Sequence, residues 1–477
     1  MRGLRAGALL CSVGREIEMK VAELAQAKVL VIGAGVTGTS VAEVLRGLGA
    51  DVSLFDENEA LFADSRFVSR GHAISYEWDL VIVSPGWRQD HPLIAEFRGR
   101  GVRIISEVDL AWLLRTELHP SQIWLAITGT NGKTTTVELA TAMLCSGGLK
   151  AKACGNVGNT VLEAVVRGDN FEYLVLELSS FQLQWSELPQ FRSVAILNIS
   201  EDHVDWHGSF ENYTTAKMRI LERTEMAILN GDDAVVVDSS DSWQGHKVFF
   251  SRNSPKPGEL GVVEDLLVDR RFVSDPDEAE LIAQLDELHP PVPHSISNTL
   301  AAAGIARSVG VSHQKIRGAI LDFHPGRHRI ETVWESDGIT WVNDSKATNP
   351  HAAAASITSY SSVIWIAGGL AKGASMADLV KDSKNHLTAA ILIGKDRDLI
   401  IRALEAEAPE LPVVMVDEDS MSKVTLMERV VLEAIKIAHF GDVVLLAPAC
   451  ASMDQFISYA DRGDQFSRAV KKFVRSE

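Results

Sequence analysis

The chain has 477 residues, of which 46% are hydrophobic and 23% are charged, and this balance excludes a chain that is disordered throughout or collagen-like. At about 150 residues per domain, the length predicts roughly three domains. The formal net charge of −18 argues against sequence-independent binding to nucleic acid, which relies on Lys and Arg to neutralise phosphates.

Two segments raise the question of export or membrane insertion. Residues 1–26 contain a short apolar run with no small-residue cleavage site after it, so we expect a disordered N-terminal extension, or a start at Met19. Residues 347–371 carry no charge but are broken by a proline and several polar residues, which predicts a helix, a turn and a strand instead of a membrane span. The four cysteines form no CxxC pair, which fits a reducing, cytoplasmic compartment.

The first part of the chain alternates short apolar runs with helical patterns. The runs that we predict as strands are Val29–Ile32, Asp51–Phe55, Leu80–Val83 and Val102–Ile105. Strands that alternate with helices predict a parallel sheet with helices on both faces.

A glycine-rich turn follows the first predicted strand. Gly33, Gly35 and Gly38 form a GxGxxG pattern, and Asp56 ends the second strand. Such glycines let the backbone approach a diphosphate at a helix N-terminus, and the acidic residue can bind a ribose hydroxyl. The pattern indicates a nucleotide diphosphate; NAD(P) and a UDP-sugar both remain open, because both use the same physics.

A second glycine-rich segment, Thr128–Thr135, follows the predicted strand Ile123–Ile127 and opens a helix. Its backbone N–H groups and Lys133 suit the phosphates of ATP, and the Thr134 hydroxyl suits Mg²⁺. The spacing departs from GxxxxGK[ST], so a plain glycine-rich turn is the alternative.

Two acidic features follow the phosphate loop. Glu177 ends the apolar run Tyr173–Leu176, where a metal-binding acid would lie beside the phosphate loop; a solvated glutamate is the alternative. The segment Asn198–Gly208, which contains His203, is rich in oxygen ligands and suits a hard metal better than zinc. Between Asp232 and Glu287 the sequence is acidic and poorly periodic, and its pattern does not assign helices or strands there.

The last part of the chain again reads as strands with polar loops after them. Predicted strands are Ile339–Val342, Val363–Ala367, Ala389–Ile393, Val413–Val416 and Val443–Leu446. The segment Asn343–Pro350 is polar throughout except for Ala347 and Pro350, and it lies where ligands bind in α/β sheets. A capped helix start, with Pro350 at its first position, explains the same residues, and both interpretations can hold.

These motifs together resemble the Mur ligase family. The family-wide marks in this chain are TGTNGKTT (128–135), GNVG (155–158), ELSSFQ (177–182), Asp202-His203, Ala216-Lys217 and His328-Arg329. NDSKATNP (343–350) and PACASMDQF (448–456) resemble the members that add D-glutamate. The resemblance implies an α/β protein of three domains after an extension (1–26): a Rossmann-like UDP-binding domain (27–117), a P-loop-type ATPase domain (118–325) and a Rossmann-like C-terminal domain (326–477).

The resemblance also implies the chemistry. ATP would drive an amide bond between UDP-N-acetylmuramoyl-L-alanine and D-glutamate through an acyl phosphate, in cytoplasmic peptidoglycan synthesis. The implied cofactors are Mg²⁺, or Mn²⁺ in its place, and a CO₂-derived carbamate on Lys217. We expect a monomer that binds these small molecules and neither nucleic acid nor membrane.

Roles for individual residues follow from the resemblance. The catalytic group would be Lys133, Glu177, His203 and Lys217, and the metal ligands Thr134, Glu177, His203 and carbamylated Lys217. ATP would contact Gly129, Thr130, Asn131, Gly132, Lys133, Thr134, Thr135, Asn298, Arg329 and Asp344. The UDP-substrate would contact Gly35, Val36, Thr37, Gly38, Asp56, Gly86, Asn156, Ser179 and Gln182. D-Glutamate would contact Lys346, Thr348, Lys372, Ser452, Met453 and Tyr459.

One departure from the family pattern concerns the nucleotide. The family usually has His-Asn-x-x-Asn before an alanine-rich helix, whereas this chain has Ser295 at the second position and keeps Asn298. Two other functions remain as alternatives. An NAD-dependent oxidoreductase would leave the phosphate loop without a purpose, and a nucleotide-gated switch would hydrolyse ATP without glutamate.

Overall fold

The computed structural model describes residues 20–167, 170–275, 277–418 and 424–474, so residues 1–19 of the predicted disordered extension lie outside the described residues. The end of that extension is ordered, contrary to the prediction, because Val21–Leu24 forms a helix in which Leu24 is fully buried. The chain divides into two compact units. The first unit runs to Gln122 and also takes in Asn159–Asn170 and Trp185–Pro189. The second unit consists of Ile123–Gly158, Phe171–Gln184 and Gln190–Glu477.

The first unit contains a parallel sheet of four strands. Its strands are β1 (Lys28–Ile32), β2 (Asp51–Phe55), β3 (Leu80–Val83) and β4 (Ile104–Ser106). Its helices before residue 120 are α1 (Val21–Leu24), α2 (Val36–Gly47), α3 (Arg70–Ser75), α4 (Pro92–Gly99) and α5 (Glu107–Leu118). The strand order is β2-β1-β3-β4, and β1 and β3 are buried apart from Lys28, as expected for central strands of a covered parallel sheet.

The fourth strand is shifted along the chain from its predicted position. Strand β4 begins two residues later than the predicted run and ends one residue after it, at Ser106. There the Ser106 side chain accepts a hydrogen bond from the Asp109 backbone N–H, and the Asp109 side chain accepts one from the Ser106 N–H. This capping box starts α5 and therefore ends the strand.

The second unit contains a sheet of nine strands. They are β5 (Ile123–Thr128), β6 (Ala151–Gly155), β7 (Tyr173–Glu177), β8 (Ser193–Ile196), β9 (Met226–Asn230), β10 (His246–Phe250), β11 (Leu260–Val263), β12 (Leu266–Asp269) and β13 (Glu280–Gln284). The order is β13-β12-β11-β10-β9-β8-β5-β7-β6. Pairings are parallel from β6 to β11, and the last two, β11 with β12 and β12 with β13, are antiparallel.

Helices of this part of the chain pack on the nine-stranded sheet or connect its strands. They are α6 (Lys133–Ser146), α7 (Val161–Val166, in the first unit), α8 (Ser180–Trp185), α9 (Val204–His207), α10 (Phe210–Met218), α11 (Ala234–Ser240), α12 (Pro293–Ser308) and α13 (His313–Asp322). Met143 of α6, Leu300 of α12 and Ile316 of α13 are fully buried in one core with Leu125 and Val175 of the sheet. This core fixes the start of α6, where the phosphate loop ends.

The second unit also contains a sheet of six strands. They are β14 (Glu331–Ser336), β15 (Ile339–Asn343), β16 (Val363–Gly368), β17 (Leu387–Ile393), β18 (Val413–Met415) and β19 (Val443–Leu446). The helices are α14 (Pro350–Ile357), α15 (Ala377–Ser383), α16 (Arg397–Glu407), α17 (Leu426–Ile437) and α18 (Tyr459–Phe473). The order is β14-β15-β19-β16-β17-β18, and the pairings are parallel except for the hairpin of β14 and β15.

The carboxyl ends of β15, β19 and β16 are neighbours in this sheet, because the three strands pair in parallel. The loops after them hold the polar segments picked out in the sequence. Short 3₁₀ helices are also present, at Glu59–Ala63, Arg219–Arg223, Leu285–Glu287 and Lys384–His386. The α/β architecture with several parallel sheets confirms the predicted fold class.

No helix in the described part of the chain combines the length and the apolar character that a membrane crossing requires. The uncharged residues 347–371 form α14 and β16 with a turn between them, as predicted. Asn349 is the N-cap of α14, and Pro350 holds its first position. The alternative explanation of the Asn343–Pro350 segment, a capped helix start, therefore holds as well.

Candidate active site

The phosphate loop lies between β5 and α6 and is held by amide side chains. The Asn131 N–H donates to Asn198 Oδ1 at 2.8 Å, and Asn198 Nδ2 donates back to the Asn131 carbonyl at 3.1 Å. Gly132 has a left-handed φ of 82° and is the N-cap of α6. A Cβ at this position would lie 2.3 Å from Asn298 Oδ1. Glycine is therefore required twice over, by conformation and by the close approach of Asn298.

Two lysines meet at one carbonyl of this loop. Lys133 Nζ donates to the carbonyls of Gly129 at 2.9 Å and Thr130 at 2.8 Å, and Lys217 Nζ donates to the Gly129 carbonyl at 2.7 Å. Burial lowers the pKa of both lysines, and it lowers that of Lys217 well below its ordinary value, with the Lys133 charge adding to the effect. Proximity and desolvation together favour the neutral amine at Lys217.

Tyr213 links Lys217 to the phosphate loop. It is not among the site residues that the sequence predicted. Its hydroxyl forms a hydrogen bond of 2.9 Å with the Thr130 hydroxyl, and Lys217 Nζ lies 4.7 Å from the centre of its ring. Tyr213 precedes Lys217 by four positions on α10. Residues at this spacing share a helix face, so the sequence contained the signal.

Glu177 is the last residue of β7, and only one of its two carboxylate oxygens has a hydrogen-bond partner among the described residues. Its Oε1 accepts a hydrogen bond from Asn156 Nδ2 at 3.0 Å. Its Oε2 is buried and has no hydrogen-bond partner among the described residues. A buried carboxylate oxygen without a partner is costly unless a ligand completes it. This is what a metal-binding carboxylate would require.

His203 lies in a left-handed conformation, with φ of 52°, at the start of α9. Its Nε2 is 3.5 Å from Asp202 Oδ2. Burial lowers its pKa, Asp202 opposes this, and the Lys372 ammonium lowers the pKa further. In the described chain, no group of three or more His, Cys, Asp or Glu side chains forms a complete metal site.

One cavity of about 510 Å³ joins the phosphate loop to the edge of the six-stranded sheet. The phosphate-loop side contributes Asn131, Gly132 and Thr135, with Asn298 beside them. From the six-stranded sheet, Arg329 lies just before β14, and Asp344 and Lys346 lie in the loop after β15. Thr134 and Thr135 lie in the first turn of α6.

Asp344 is the buried carboxylate of this cavity. The Ser356 hydroxyl and the Ile330 N–H both donate to it. Burial raises its pKa to about 6, against the lowering effect of those hydrogen bonds and of Arg329. An amide pair lies nearby, in which Asn349 Nδ2 donates to Asn131 Oδ1 at 2.9 Å.

The residues predicted for D-glutamate lie in loops at the edge of the six-stranded sheet, except for Tyr459, which is the first residue of α18. Lys346 Nζ lies 4.1 Å from the centre of the Tyr459 ring, and burial lowers its pKa to about 8. The Thr348 N–H donates to the Lys346 carbonyl at 2.8 Å. Ser452 is buried, whereas Met453 is 64% exposed. Lys346 and Tyr459 are therefore in contact, and Met453 projects into solvent.

The residues predicted for the UDP-substrate are divided between the units. In the first unit, Gly35 is the N-cap of α2, which opens with Val36 and Thr37, and Val36 is 83% exposed. A Cβ at Gly38 would lie 1.8 Å from the Gly33 carbonyl oxygen, so the turn requires glycine there. Gly86 follows β3 by three residues.

Asp56 is engaged by backbone groups. Its Oδ2 accepts from the Ala34 N–H at 2.8 Å, and its Oδ1 accepts from the Asn58 N–H at 3.0 Å. The sequence predicts that Asp56 binds a ribose hydroxyl. In the structure its carboxylate holds the glycine turn in place through the Ala34 N–H.

In the second unit, the predicted UDP-substrate residues Ser179 and Gln182 bond to each other. The Ser179 N–H and hydroxyl both donate to Gln182 Oε1, at 3.0 Å and 3.1 Å, and the Gln182 N–H donates to Ser179 Oγ. This local pair shapes the turn from β7 into α8. Asn156 lies beside Glu177 in the same unit.

Comparison with known proteins agrees with these motifs. The Mur ligase middle domain matches residues 127–306, and the Mur ligase, glutamate ligase domain matches residues 328–450. The chain belongs to the Mur ligase family. The C-terminal domain of alanine dehydrogenase/PNT matches residues 15–82, which fits the GxGxxG turn of this Mur ligase.

The curated relatives show which members of the Mur ligase family this chain is similar to in sequence. A UDP-N-acetylmuramoylalanine–D-glutamate ligase from Streptomyces avermitilis is 44% identical over 93% of this chain and 97% of its own length. Enzymes with the same description from Thermobifida fusca and Mycobacterium bovis are 43% and 41% identical, over 94% of this chain and 99% and 96% of theirs. The resemblance to the D-glutamate-adding members is confirmed.

Solved structures share the fold at low sequence identity. A pseudomurein peptide ligase type C from Methanothermus fervidus has a TM-score of 0.58 at 16% identity, covering 94% of this chain and 100% of that one. A MurF ligase from Thermotoga maritima, in complex with ADP, has a TM-score of 0.56 at 17% identity, covering 95% and 97%. These likenesses support the multi-domain α/β fold of this Mur ligase.

Proposed function

We propose that the chain joins D-glutamate to UDP-N-acetylmuramoyl-L-alanine at the expense of ATP, as a step of peptidoglycan synthesis in the cytoplasm. The observation that carries the proposal is the shared cavity. The phosphate loop, through Asn131, Gly132 and Thr135, and the loop that carries Asp344 and Lys346 line the same space. A triphosphate and an amino acid bound at these two loops would therefore meet.

A carboxylate is a poor electrophile at neutral pH, and this explains the need for ATP. The substrate carboxylate would attack the γ-phosphorus, and ADP would leave. The amine of D-glutamate would then attack the acyl carbon of the acyl phosphate, and inorganic phosphate would leave as the amide forms. The protein's task is to position three anions and to offset their charge.

Lys133 is the cation best placed to offset the charge of the transferred phosphoryl group, because its ammonium already lies against the phosphate-loop carbonyls of Gly129 and Thr130. Arg329 lines the same cavity and would add a second positive charge over the nucleotide. In a chain with a net charge of −18, such local cations are what concentrates anionic substrates.

The donor set fits a magnesium ion that arrives with ATP. Mg²⁺ is usually held by one or two carboxylates together with substrate phosphates, and the unsatisfied Glu177 Oε2 is one such oxygen. Thr134 and His203 are the other side chains that would take part. When bound, Mg²⁺ or Mn²⁺ would neutralise developing charge on the phosphates.

Lys217 suits the proposed carbamate. CO₂ adds only to a neutral amine, with loss of a proton, and burial keeps the pKa of Lys217 far below its ordinary value. A carbamate would place a negative charge beside the Lys133 ammonium, because both side chains reach the Gly129 carbonyl. The two opposite charges would then stabilise each other.

The two other substrates would bind at separate sets of loops. The glycine turn with Asp56 would hold the UDP moiety, and Asn156, Ser179 and Gln182 would contact the muramoyl part. Lys346, Thr348, Lys372, Ser452, Met453 and Tyr459 would hold D-glutamate. The remaining ATP contacts would be Gly129 to Thr135, Asn298, Arg329 and Asp344. The enzyme is proposed to act as a monomer.

The test is phosphate release from ATP and Mg²⁺ with UDP-N-acetylmuramoyl-L-alanine. D-Glutamate should support release, and L-glutamate and L-alanine should give only the background rate. Equal release without any amino acid would favour a nucleotide switch and contradict the ligase. A change in nicotinamide absorbance with a hydroxy acid would favour the oxidoreductase instead.

A further inference from the structure

A fully buried arginine lies beneath the edge of the six-stranded sheet. Arg462 belongs to the first turns of α18 and has 0% exposure. Arginine is almost never fully buried unless its charge is satisfied. Its partners in the described part of the chain are hydroxyl and carbonyl oxygens, and no carboxylate forms a salt bridge with it. The position therefore demands an explanation beyond packing.

The guanidinium binds three separate loops. Its Nε donates to Ser345 Oγ at 2.9 Å, and its Nη2 donates to the Ser345 carbonyl at 3.0 Å. Its Nη1 donates to the carbonyls of Cys450 at 3.2 Å and Gly368 at 3.4 Å. Ser345 and Cys450 lie in the loops after β15 and β19, and Gly368 is the last residue of β16; the three strands are adjacent in the sheet. One planar side chain thus connects the backbone that follows three neighbouring strands.

Each residue that accepts a hydrogen bond from Arg462 lies close in sequence to a residue proposed to contact D-glutamate. Lys346 follows Ser345 directly, Ser452 follows Cys450 by two residues, and Lys372 follows Gly368 by four. The loops are also tied to each other, because the N–H groups of Leu370 and Ala451 each donate to the other's carbonyl at 2.9 Å. The arginine therefore anchors the backbone of the whole proposed amino-acid subsite.

Ser345 passes this anchoring on to the cation that faces the cavity. Its hydroxyl accepts from Arg462 Nε and donates to the Tyr459 carbonyl at 2.8 Å. Tyr459 in turn lies beneath Lys346, with the ammonium 4.1 Å from the ring centre. A chain of contacts thus runs from Arg462 through Ser345 and Tyr459 to Lys346.

The packing of α18 leaves this turn little freedom. A Cβ on Gly463 would lie 2.3 Å from His328 Nδ1 and 3.0 Å from Asn343 Oδ1. Asn343 Nδ2 donates to the Gly463 carbonyl at 3.1 Å and to Ser467 Oγ at 3.0 Å. The helix turn that carries Arg462 is therefore fixed against the end of β15, and this restricts the position of the guanidinium.

We propose that Arg462 is a positioning residue for the amino-acid substrate: it sets the relative positions of the loops that carry Lys346, Lys372 and Ser452 without touching the substrate. The proposal rests on the proposed function. It gives a function to a buried cation with four hydrogen bonds, at a position where aliphatic packing would suffice for stability. Its effect should appear in D-glutamate binding and spare ATP binding.

The test compares Arg462→Lys and Arg462→Met with Arg468→Met, a matched control on the exposed face of the same helix. We measure kcat, the three substrate KM values and the unfolding temperature. Arg462→Lys should raise KM for D-glutamate about tenfold, and Arg462→Met should raise it further, because lysine keeps the charge but cannot reach three loops. KM for ATP and for the UDP-substrate should stay within about twofold of the wild type, and Arg468→Met should change none of them.

A purely structural role gives a different pattern. It would lower the unfolding temperature and the active fraction while leaving KM for D-glutamate unchanged, and that result overturns the proposal. If Arg462→Met does not fold, Arg462→Lys and Ser345→Ala decide; Ser345→Ala should raise KM for D-glutamate about threefold. Wild-type enzyme without D-glutamate-dependent phosphate release would instead refute the proposed function itself.

Discussion

The charge state of Lys346 makes the proposed D-glutamate site sensitive to pH. Burial, aided by the Arg329 charge and opposed by that of Glu177, lowers the pKa of Lys346 to about 8. Only the protonated amine attracts a carboxylate. The free enzyme therefore carries the binding-competent form below pH 8 and loses it above that value.

The size of the effect follows from the same number. With a pKa of about 8, nearly all of Lys346 is charged at pH 7 and roughly a tenth at pH 9. The apparent dissociation constant scales inversely with the competent fraction. The contribution of Lys346 should thus raise KM for D-glutamate about tenfold between pH 7 and pH 9.

The assay requires a control, because the amine of D-glutamate titrates as well. Lys346→Arg shares that substrate ionisation but stays protonated throughout the range. We expect the ratio of the wild-type KM to the Lys346→Arg KM to be flat below pH 7 and to rise about tenfold by pH 9. A ratio that does not change with pH would refute the role of Lys346 charge in binding.

Three further predictions concern other parts of the molecule. Lys133→Ala should lower kcat at least about a hundredfold, because it removes charge that offsets the transferred phosphoryl group; near-native turnover would contradict that role. Lys372→Ala should mainly raise KM for D-glutamate, and an unchanged KM in steady-state kinetics would reassign the contact. Glu107 is buried, accepts a hydrogen bond from the Leu162 N–H, and has a pKa that burial raises to about 7. Its protonated form favours folding at low pH, and this stabilisation is lost as pH rises through 7. Glu107→Gln should therefore raise the free energy of unfolding at pH 8 by at most about 3 kcal/mol, and the gain should vanish near pH 4.5; an equal gain at both pH values would show that the Glu107 charge is not the cause.

The elements that the sequence predicted well are the buried parallel strands. The runs Leu80–Val83 and Val443–Leu446 coincide with β3 and β19, because strands covered on both faces are continuously apolar. The hairpin strand β14 and the antiparallel strands β11 to β13 escaped prediction. Strand β14 is half-exposed along its length, so it lacks both a continuous apolar run and a clean alternation.

The candidate site shows a similar division. Glycine, lysine and acidic residues at strand ends could be picked out because their types and spacing are tied to phosphate and metal chemistry. Arg462 could not, because its partners Ser345 and Gly368 are 117 and 94 residues away in the chain. They come together beside Cys450 only through the strand order β15-β19-β16. The hydrogen bond by which Asp56 holds the glycine turn could not be predicted for a similar reason, because Asp56 and Ala34 are 22 residues apart in the chain.

In the proposed reaction, ATP activates the substrate carboxylate at the phosphate loop. Label on the carboxylate oxygens of UDP-N-acetylmuramoyl-L-alanine tests it most directly. If the carboxylate attacks the γ-phosphorus, one ¹⁸O atom per turnover should appear in the inorganic phosphate, and only in the presence of D-glutamate. Phosphate free of ¹⁸O after many turnovers would contradict the account, because ATP would then have been hydrolysed by water.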